Sequence, residues 1–363
     1  MKNNNFNFIF LHVKILTGGI MFKNTFDNKR YYTLNCFFKK KFRQKVFKVP
    51  IDINSTCPNQ VNGGCIYCSN KSTANISDGN LDILEQFENG KKIMEQKWPD
   101  SLYIPYFQSG TNTYNDKNLV KSYVDKLLLL PKVVGIDIAT RPDCLTEEWL
   151  DYLDELNKKT FLIVELGLQS SNNNTLNFIN RGHNSEVFKD AVKKLHERNI
   201  FVVAHIINGL PYEVKEDMLN TIKFVNDCGI DGIKIHMLYV AKNTPLASIY
   251  EKDKFHILTK EEYIDIVCDQ LRLLNQDIVI MRITGDPTLD ELIAPDWLIK
   301  KFVVLNDIDK EILIDKVDKQ INKMIKSNRK YSGNILKSKI YNNLYNNGFD
   351  KDMIINVLNN YNF

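Results

Sequence analysis

Residues 46–68 read Val-Phe-Lys-Val-Pro-Ile-Asp-Ile-Asn-Ser-Thr-Cys-Pro-Asn-Gln-Val-Asn-Gly-Gly-Cys-Ile-Tyr-Cys: a nearly continuous apolar run that passes directly into a loop carrying Cys57, Cys65 and Cys68. Residues 46–53 have the character of a strand buried on both faces, the usual state of a strand in a parallel sheet. The loop is a C-x7-C-x2-C cluster, and its three ligands are the informative number. A closed structural zinc site takes four Cys or His ligands, and electron-transfer iron–sulfur clusters are normally held by four cysteines. The only other Cys or His nearby is Cys36, which precedes the strand. Three thiolates on a cubane leave one iron open to a small-molecule ligand, as a reactive site requires. Gly63 and Gly64 allow a tight bend in which backbone N–H groups approach the sulfurs. The loop favours an iron–sulfur cluster on Cys57, Cys65 and Cys68 over zinc.

Working outward, similar apolar runs recur at residues 102–107, 133–139, 161–168, 201–207 and 232–238. Segments of helical period separate them, at residues 81–97, 116–130, 146–157, 186–198 and 214–227. Six strands alternating with helices make an α/β chain with a parallel sheet. The pieces suit a partial (β/α)6 barrel or an open doubly wound sheet. In a barrel, the cysteine loop lies at the carboxyl end of a strand, where active sites are built. Beyond Met281 the pattern becomes helical and lysine-rich. The expected division is a leader at residues 1–20, a core at 21–305, and a small basic helical extension at 306–363. The leader reading rests on Thr17-Gly18-Gly19-Ile20-Met21, which a purine-rich ribosome-binding site followed by a start codon would encode.

The other strand ends are polar. Gln108 and Ser109 follow the second strand, Arg141 to Cys144 the third, and Gln169 and Ser170 the fourth, with Arg181 twelve residues on. Asn208 and Gly209 close the fifth. Glu165, His205, Lys234 and His236 are ionisable groups inside apolar runs, so each needs a partner or a ligand. Cys144, His205 and His236 are the candidate catalytic groups.

Composition sets limits. A hydrophobic content of 44% with 25% charged residues is that of a globular protein, and no apolar run reaches the ~20 residues of a membrane span. Seven scattered or clustered cysteines with no paired framework suit a reducing, cytoplasmic setting. The net charge of +4 is uneven: from Lys319 onward eight Lys or Arg face two acids. That basic tail, with the Lys- and Arg-rich run at residues 37–48, suggests an acidic partner such as RNA.

Together, the C-x7-C-x2-C loop, Tyr106-Phe-Gln108, Thr111-Asn-Thr-Tyr114, Thr140-Arg-Pro-Asp-Cys144, Glu165-Leu-Gly-Leu-Gln-Ser170, Arg181-Gly-His183, Gly209-Leu-Pro211 and Ile233-Lys-Ile-His236 resemble the YhcC-type radical S-adenosylmethionine proteins. The core is also similar to the elongator catalytic subunit and to oxygen-independent coproporphyrinogen oxidase. The resemblance implies a partial (β/α)6 barrel, a [4Fe–4S] cluster on Cys57, Cys65 and Cys68, and S-adenosylmethionine cleaved to a 5′-deoxyadenosyl radical. It implies a one-electron reductant of flavodoxin or ferredoxin type, and it points to tRNA as substrate. By position, Gln108 and Ser109 would bind the methionine amino group, Gln169 and Arg181 the ribose and carboxylate, and Asn208 and Gly209 the adenine. Glu165 and Lys234 are further candidate cofactor contacts. The rival reading is a non-catalytic iron–sulfur or zinc protein that binds RNA.

Overall fold

All six apolar runs form strands: β1 (Val46–Ile51), β2 (Leu102–Phe107), β3 (Gly135–Thr140), β4 (Phe161–Gln169), β5 (Phe201–Asn208) and β6 (Gly232–Met237). A short strand, β7 (Val240–Ala241), pairs antiparallel with β9 (Leu292–Ala294). Between them in sequence, β8 (Val279–Arg282) adds a seventh parallel strand beyond β6. The computed structural model describes residues 27, 29–69, 78–285, 287, 289–328, 331 and 333–361; the expected leader lies outside these residues.

Sheet order is β1-β2-β3-β4-β5-β6-β8, each neighbour parallel. Sequential order with no reversal has no topological switch point, so the barrel, and not the doubly wound sheet, is the architecture. Its curl follows from contacts across the concave face. Lys234 Nζ on β6 donates to Tyr106 OH on β2 at 2.9 Å. Four strand spacings separate these strands, about 19 Å in a flat sheet, whereas a lysine and a tyrosine together reach roughly 12 Å. The sheet must therefore bend toward its polar face.

The amino end is sealed by hydrocarbon. The helix Leu34–Phe42 starts at Thr33, whose hydroxyl accepts from the Cys36 amide. It lays Phe37 against Phe161 and Phe201, at ring separations of 5.9 and 4.9 Å. Phe38 is buried with Val46, Ile104, Ile163 and Val203. The segment leading into this helix runs beside β8, with Ile280 N donating to Tyr32 O at 2.7 Å.

The described residues divide into two compact units, Tyr32–Leu305 and a smaller one comprising Asn306 onward with the segment before Tyr32. The smaller unit contains most of the helix Lys301–Ser327, followed by Gly333–Asn346 and Lys351–Leu358. Its own core includes Val317, Ile321, Leu336, Ile340, Leu344 and Ile354. Gly348, at φ 82°, makes the turn between the last two helices, and the Phe349 amide bonds back to Leu344 O at 3.1 Å. Among the described residues no helix is long and apolar enough to cross a membrane.

Phe38 is only 1% exposed, so Phe38→Ala should lower stability by about 3–5 kcal/mol in urea unfolding followed by circular dichroism. A loss below 1 kcal/mol would show that the seal at the amino end does not depend on this ring.

Candidate functional site

The cysteine loop emerges from β1 at the carboxyl end of the sheet. A short 3-10 turn, Pro58–Asn62, begins one residue after Cys57. Gly63 and Gly64 then adopt φ of 87° and 72°, which returns the chain so that the Gly64 amide donates to Asn59 O at 2.9 Å. Asn180 fastens the loop from outside, its amide donating to Asn62 O at 2.8 Å and Gly64 O at 2.7 Å. The Ile66 amide bonds to Ile179 O at 3.1 Å.

Donors converge on the sulfurs. Asn59 Nδ2 lies 3.6 Å from Cys65 Sγ, Arg181 Nη1 3.7 Å from the same sulfur, and Arg141 Nη1 3.9 Å from Cys57 Sγ. Burial and the neighbouring Cys65 and Cys57 push the Cys68 thiol up to about 11, although the residue as a whole is exposed. Among the described residues no three Cys, His, Asp or Glu side chains are gathered as a metal ion's ligands would be. The fit to a cluster rests instead on the donor set: three thiols on one loop, with hydrogen-bond donors turned toward two of them.

The second and third strand ends are stitched to this loop. Ser55 Oγ donates to Asn112 Oδ1 at 2.8 Å, while Asn112 Nδ2 donates to Phe107 O and Ala139 O at 2.9 and 2.8 Å. Gly110 closes the approach: its φ is 67°, and a Cβ there would stand 2.0 Å from Ser55 O. Ser109 is buried beside it, and its hydroxyl has no protein partner among the described residues. Gln108 is half-buried, its amide bonding back to Ile51 O at 3.3 Å. At the end of β4 the register slips between Gly167 and Gln169, and Gln169 takes a left-handed φ of 77°. Such strain in a non-glycine residue re-aims a side chain at a strand end.

Inside the barrel lies a network centred on Glu165. Its Oε1 accepts from Lys48 Nζ at 2.5 Å. Its Oε2 accepts from Tyr106 OH at 2.7 Å, His205 Nε2 at 2.6 Å and Lys234 Nζ at 2.5 Å. Lys48 Nζ also stands 2.6 Å from Asp137 Oδ2, close but outside directed hydrogen-bond geometry. Burial alone would raise the Glu165 pKa; Lys234 and Lys48 overcome it and hold the carboxyl well below its usual range. Asp137 goes the other way, to about 7, through burial and the charge of Glu165. Burial lowers Lys234 to about 7 and His205 to about 4, so His205 is neutral and Nε2 is its donor. His236 stacks 5.5 Å from His205, and its Nε2 is buried with no partner among the described residues.

Several of the expected site residues have protein partners of their own. Glu165 and Lys234 are paired with each other at 2.5 Å. Arg181 is spent on Cys65 and on Gly167 O, to which Nη2 donates at 2.6 Å. The Asn208 side chain turns away from the strand ends into a reciprocal pair with Gln270, two bonds of 2.8 Å. Gly209, at φ 82°, sits over Leu258 in a separate cleft of about 550 Å³. Cys144 is a buried thiol, its carbonyl held by Thr113 Oγ1 at 2.7 Å. Asp137, Tyr106 and Arg141 join the site without having been singled out as site residues. Lys48, read as part of a basic run suited to an acidic partner, lies inside the barrel.

Comparison with known proteins agrees with this geometry. The radical SAM superfamily model matches residues 56–225, and the radical SAM C-terminal domain matches 230–313. The Bacillus subtilis protein YtqA is 42% identical over 289 residues, covering 78% of this chain and 90% of that protein.

The chain belongs to the radical SAM superfamily.

The superfamily uses a [4Fe–4S] cluster and S-adenosylmethionine, and this chain is an enzyme of that class, which sets aside the non-catalytic reading. Escherichia coli YhcC is 28% identical over 276 residues, covering 75% of this chain and 88% of that protein. A tRNA uridine(34) acetyltransferase from Methanocaldococcus infernus is 27% identical over 54% of this chain, which spans 36% of that enzyme. The solved Methanocaldococcus infernus Elp3 structure, 19% identical, shares the fold with a TM-score of 0.57 over 73% of this chain and 63% of that one.

Two predictions follow from the site. The unfolded chain takes up the His205 proton before the folded one, so stability carried by this residue is whole above about 6.5 and is lost as the pH falls from 6.5 to about 4. His205→Gln should flatten the decline of unfolding free energy across that window, measured by urea titration at a series of pH values; an unchanged decline would contradict a neutral His205. Glu165→Gln leaves Lys48 and Lys234 short of countercharge and should cost about 3–5 kcal/mol in the same assay.

Proposed function

We propose that this radical SAM chain holds its [4Fe–4S] cluster on Cys57, Cys65 and Cys68, reductively cleaves S-adenosylmethionine there, and acts on an RNA of the tRNA class. The observation that carries the reading is a three-cysteine loop at the carboxyl ends of the strands with guanidinium N–H groups turned toward two of its sulfurs. When bound, the cluster and S-adenosylmethionine would supply one-electron C–S cleavage and a 5′-deoxyadenosyl radical able to take a hydrogen atom from substrate.

The chain's own residues bind, orient and insulate. Ser109, with a buried hydroxyl open for a partner, and Gln169, re-aimed by its left-handed backbone, are the proposed contacts for the polar groups of S-adenosylmethionine. The Glu165 network fixes protons at the concave face, with Lys48, Tyr106, His205 and Lys234 all donating to one carboxylate. An interior whose polar groups bond to one another in this way would help to keep water from a reactive intermediate. Electrons would come from a flavodoxin- or ferredoxin-type reductant. None of the cysteines among the described residues is in a disulfide, which agrees with a reducing, cytoplasmic setting.

Two observations favour RNA. One is the similarity to a tRNA-modifying acetyltransferase reported above. The other is a stripe of exposed lysines on the helix Lys301–Ser327: Lys319, Lys323 and Lys326 are spaced by four and three residues and so share one face. Lysines on one face of a helix neutralise successive phosphates without reading sequence.

Anaerobic reconstitution with dithionite and S-adenosylmethionine should yield 5′-deoxyadenosine, and Cys57→Ala, Cys65→Ala and Cys68→Ala should each abolish it. A wild-type protein with full iron and sulfide that binds no S-adenosylmethionine would overturn the reading. For the substrate, a deletion strain should lack one modified tRNA nucleoside by mass spectrometry. Replacing Lys319, Lys323 and Lys326 together with Gln should weaken tRNA binding and lower its salt slope by about 2–3; an unchanged nucleoside profile would remove the tRNA assignment.

A further inference from the structure

Arg141 and Arg181 arrive at the cysteine loop from different strand ends, and both are buried, at 4% and 6% exposure. Arg141 Nε and Nη2 grip the Asp143 carboxylate at 2.9 and 2.8 Å, and Nη2 also donates to the Arg181 carbonyl at 3.0 Å. That leaves Nη1 facing Cys57 Sγ at 3.9 Å. Arg181 is anchored through Nη2 on Gly167 O, leaving Nη1 facing Cys65 Sγ at 3.7 Å. The backbone is cleared for both. A Cβ on Gly167 would stand 2.6 Å from Arg181 Nη2, and one on Gly182 would stand 3.1 Å from Arg141 Nη2 and 2.5 Å from Asn59 Oδ1.

Asp143 pairs with Arg141, whereas Arg181 faces only a carbonyl and a thiol among the described residues. Two buried guanidiniums with one carboxylate between them, on Arg141 alone, are costly unless another anion completes the arrangement. Neutral thiols do not. Three thiolates on an oxidised [4Fe–4S] cluster form a monoanion, and one electron from the external reductant makes it a dianion.

We infer that Arg141 and Arg181 are positioning residues that set the reduction potential of the cluster, stabilising the dianion more than the monoanion and so easing electron entry. Fixed cations and hydrogen bonds at the sulfurs act in this direction because their attraction grows with the negative charge they face. The inference rests on Cys57, Cys65 and Cys68 holding the cluster. It gives Arg181 a role toward the sulfur rather than toward the ribose or carboxylate of S-adenosylmethionine.

The test is a redox titration of the reconstituted full chain, without S-adenosylmethionine, read by electron paramagnetic resonance and with iron and sulfide measured for each variant. Arg141→Gln and Arg181→Gln should each lower the midpoint by at least a tenfold change in the reduced-to-oxidised ratio, about 59 mV for one electron. Arg181→Lys should recover part of the loss. Asp143→Asn removes the competing anion and should move the midpoint upward, a change of sign that damaged folding would not produce. Loaded Gln variants with the wild-type midpoint would overturn the inference. Should those variants take up no iron, Asp143→Asn decides alone: an upward shift upholds the inference and no shift overturns it. A wild type that takes up no cluster would instead defeat the three-cysteine reading.

Discussion

The contact on which the structure turns is the meeting of four side chains from four other strands on the carboxylate of Glu165. Lys48 comes from β1, Tyr106 from β2, His205 from β5 and Lys234 from β6. These strands can present polar groups to one point only if the sheet curls. The curl in turn brings their carboxyl ends around a common mouth. Each donor compensates a charge or dipole that would be expensive to bury alone, and Glu165 is kept ionised by the two ammonium groups around it. The aromatic packing at the amino end and the polar hub at mid-height thus divide the work. Hydrocarbon closes the barrel below; directional bonds set its curvature above.

The cysteine loop inherits its geometry from that frame. It leaves the end of β1 and is tied down by Asn112 below, by Asn180 beside it and by two arginines anchored outside the loop. Chemistry that releases a reactive radical needs such fixed surroundings, because selectivity depends on where the substrate hydrogen sits and on the exclusion of water. The smaller helical unit has a core of its own and a lysine-bearing helix face.

Much of the fold could be read directly. The six long strands appear where the apolar runs end in polar clusters, because a strand buried on both faces has few other ways to be written. The seventh, Val279–Arg282, was not legible: it has only four residues, ends in a charge and adjoins the region where the helical pattern begins. Lys48 was grouped with its basic neighbours, yet it interrupts an apolar strand just as Glu165 does, and that signal would have placed it inside. The pairing itself spans 117 residues and leaves no trace in local spacing. Asn208 shows a second limit of local reading. A polar group at a strand end suggested a ligand contact, and its protein partner Gln270, sixty-two residues on, leaves no trace in local spacing.

The central claim is that Cys57, Cys65 and Cys68 hold a cluster with one iron left open for S-adenosylmethionine. Electron paramagnetic resonance of the reduced, fully loaded protein, recorded with and without S-adenosylmethionine, tests it most directly. The account predicts a changed spectrum on addition, as the open iron gains a ligand, and no signal at all in the Cys65→Ala protein. A loaded wild-type cluster whose spectrum is indifferent to saturating S-adenosylmethionine would contradict it.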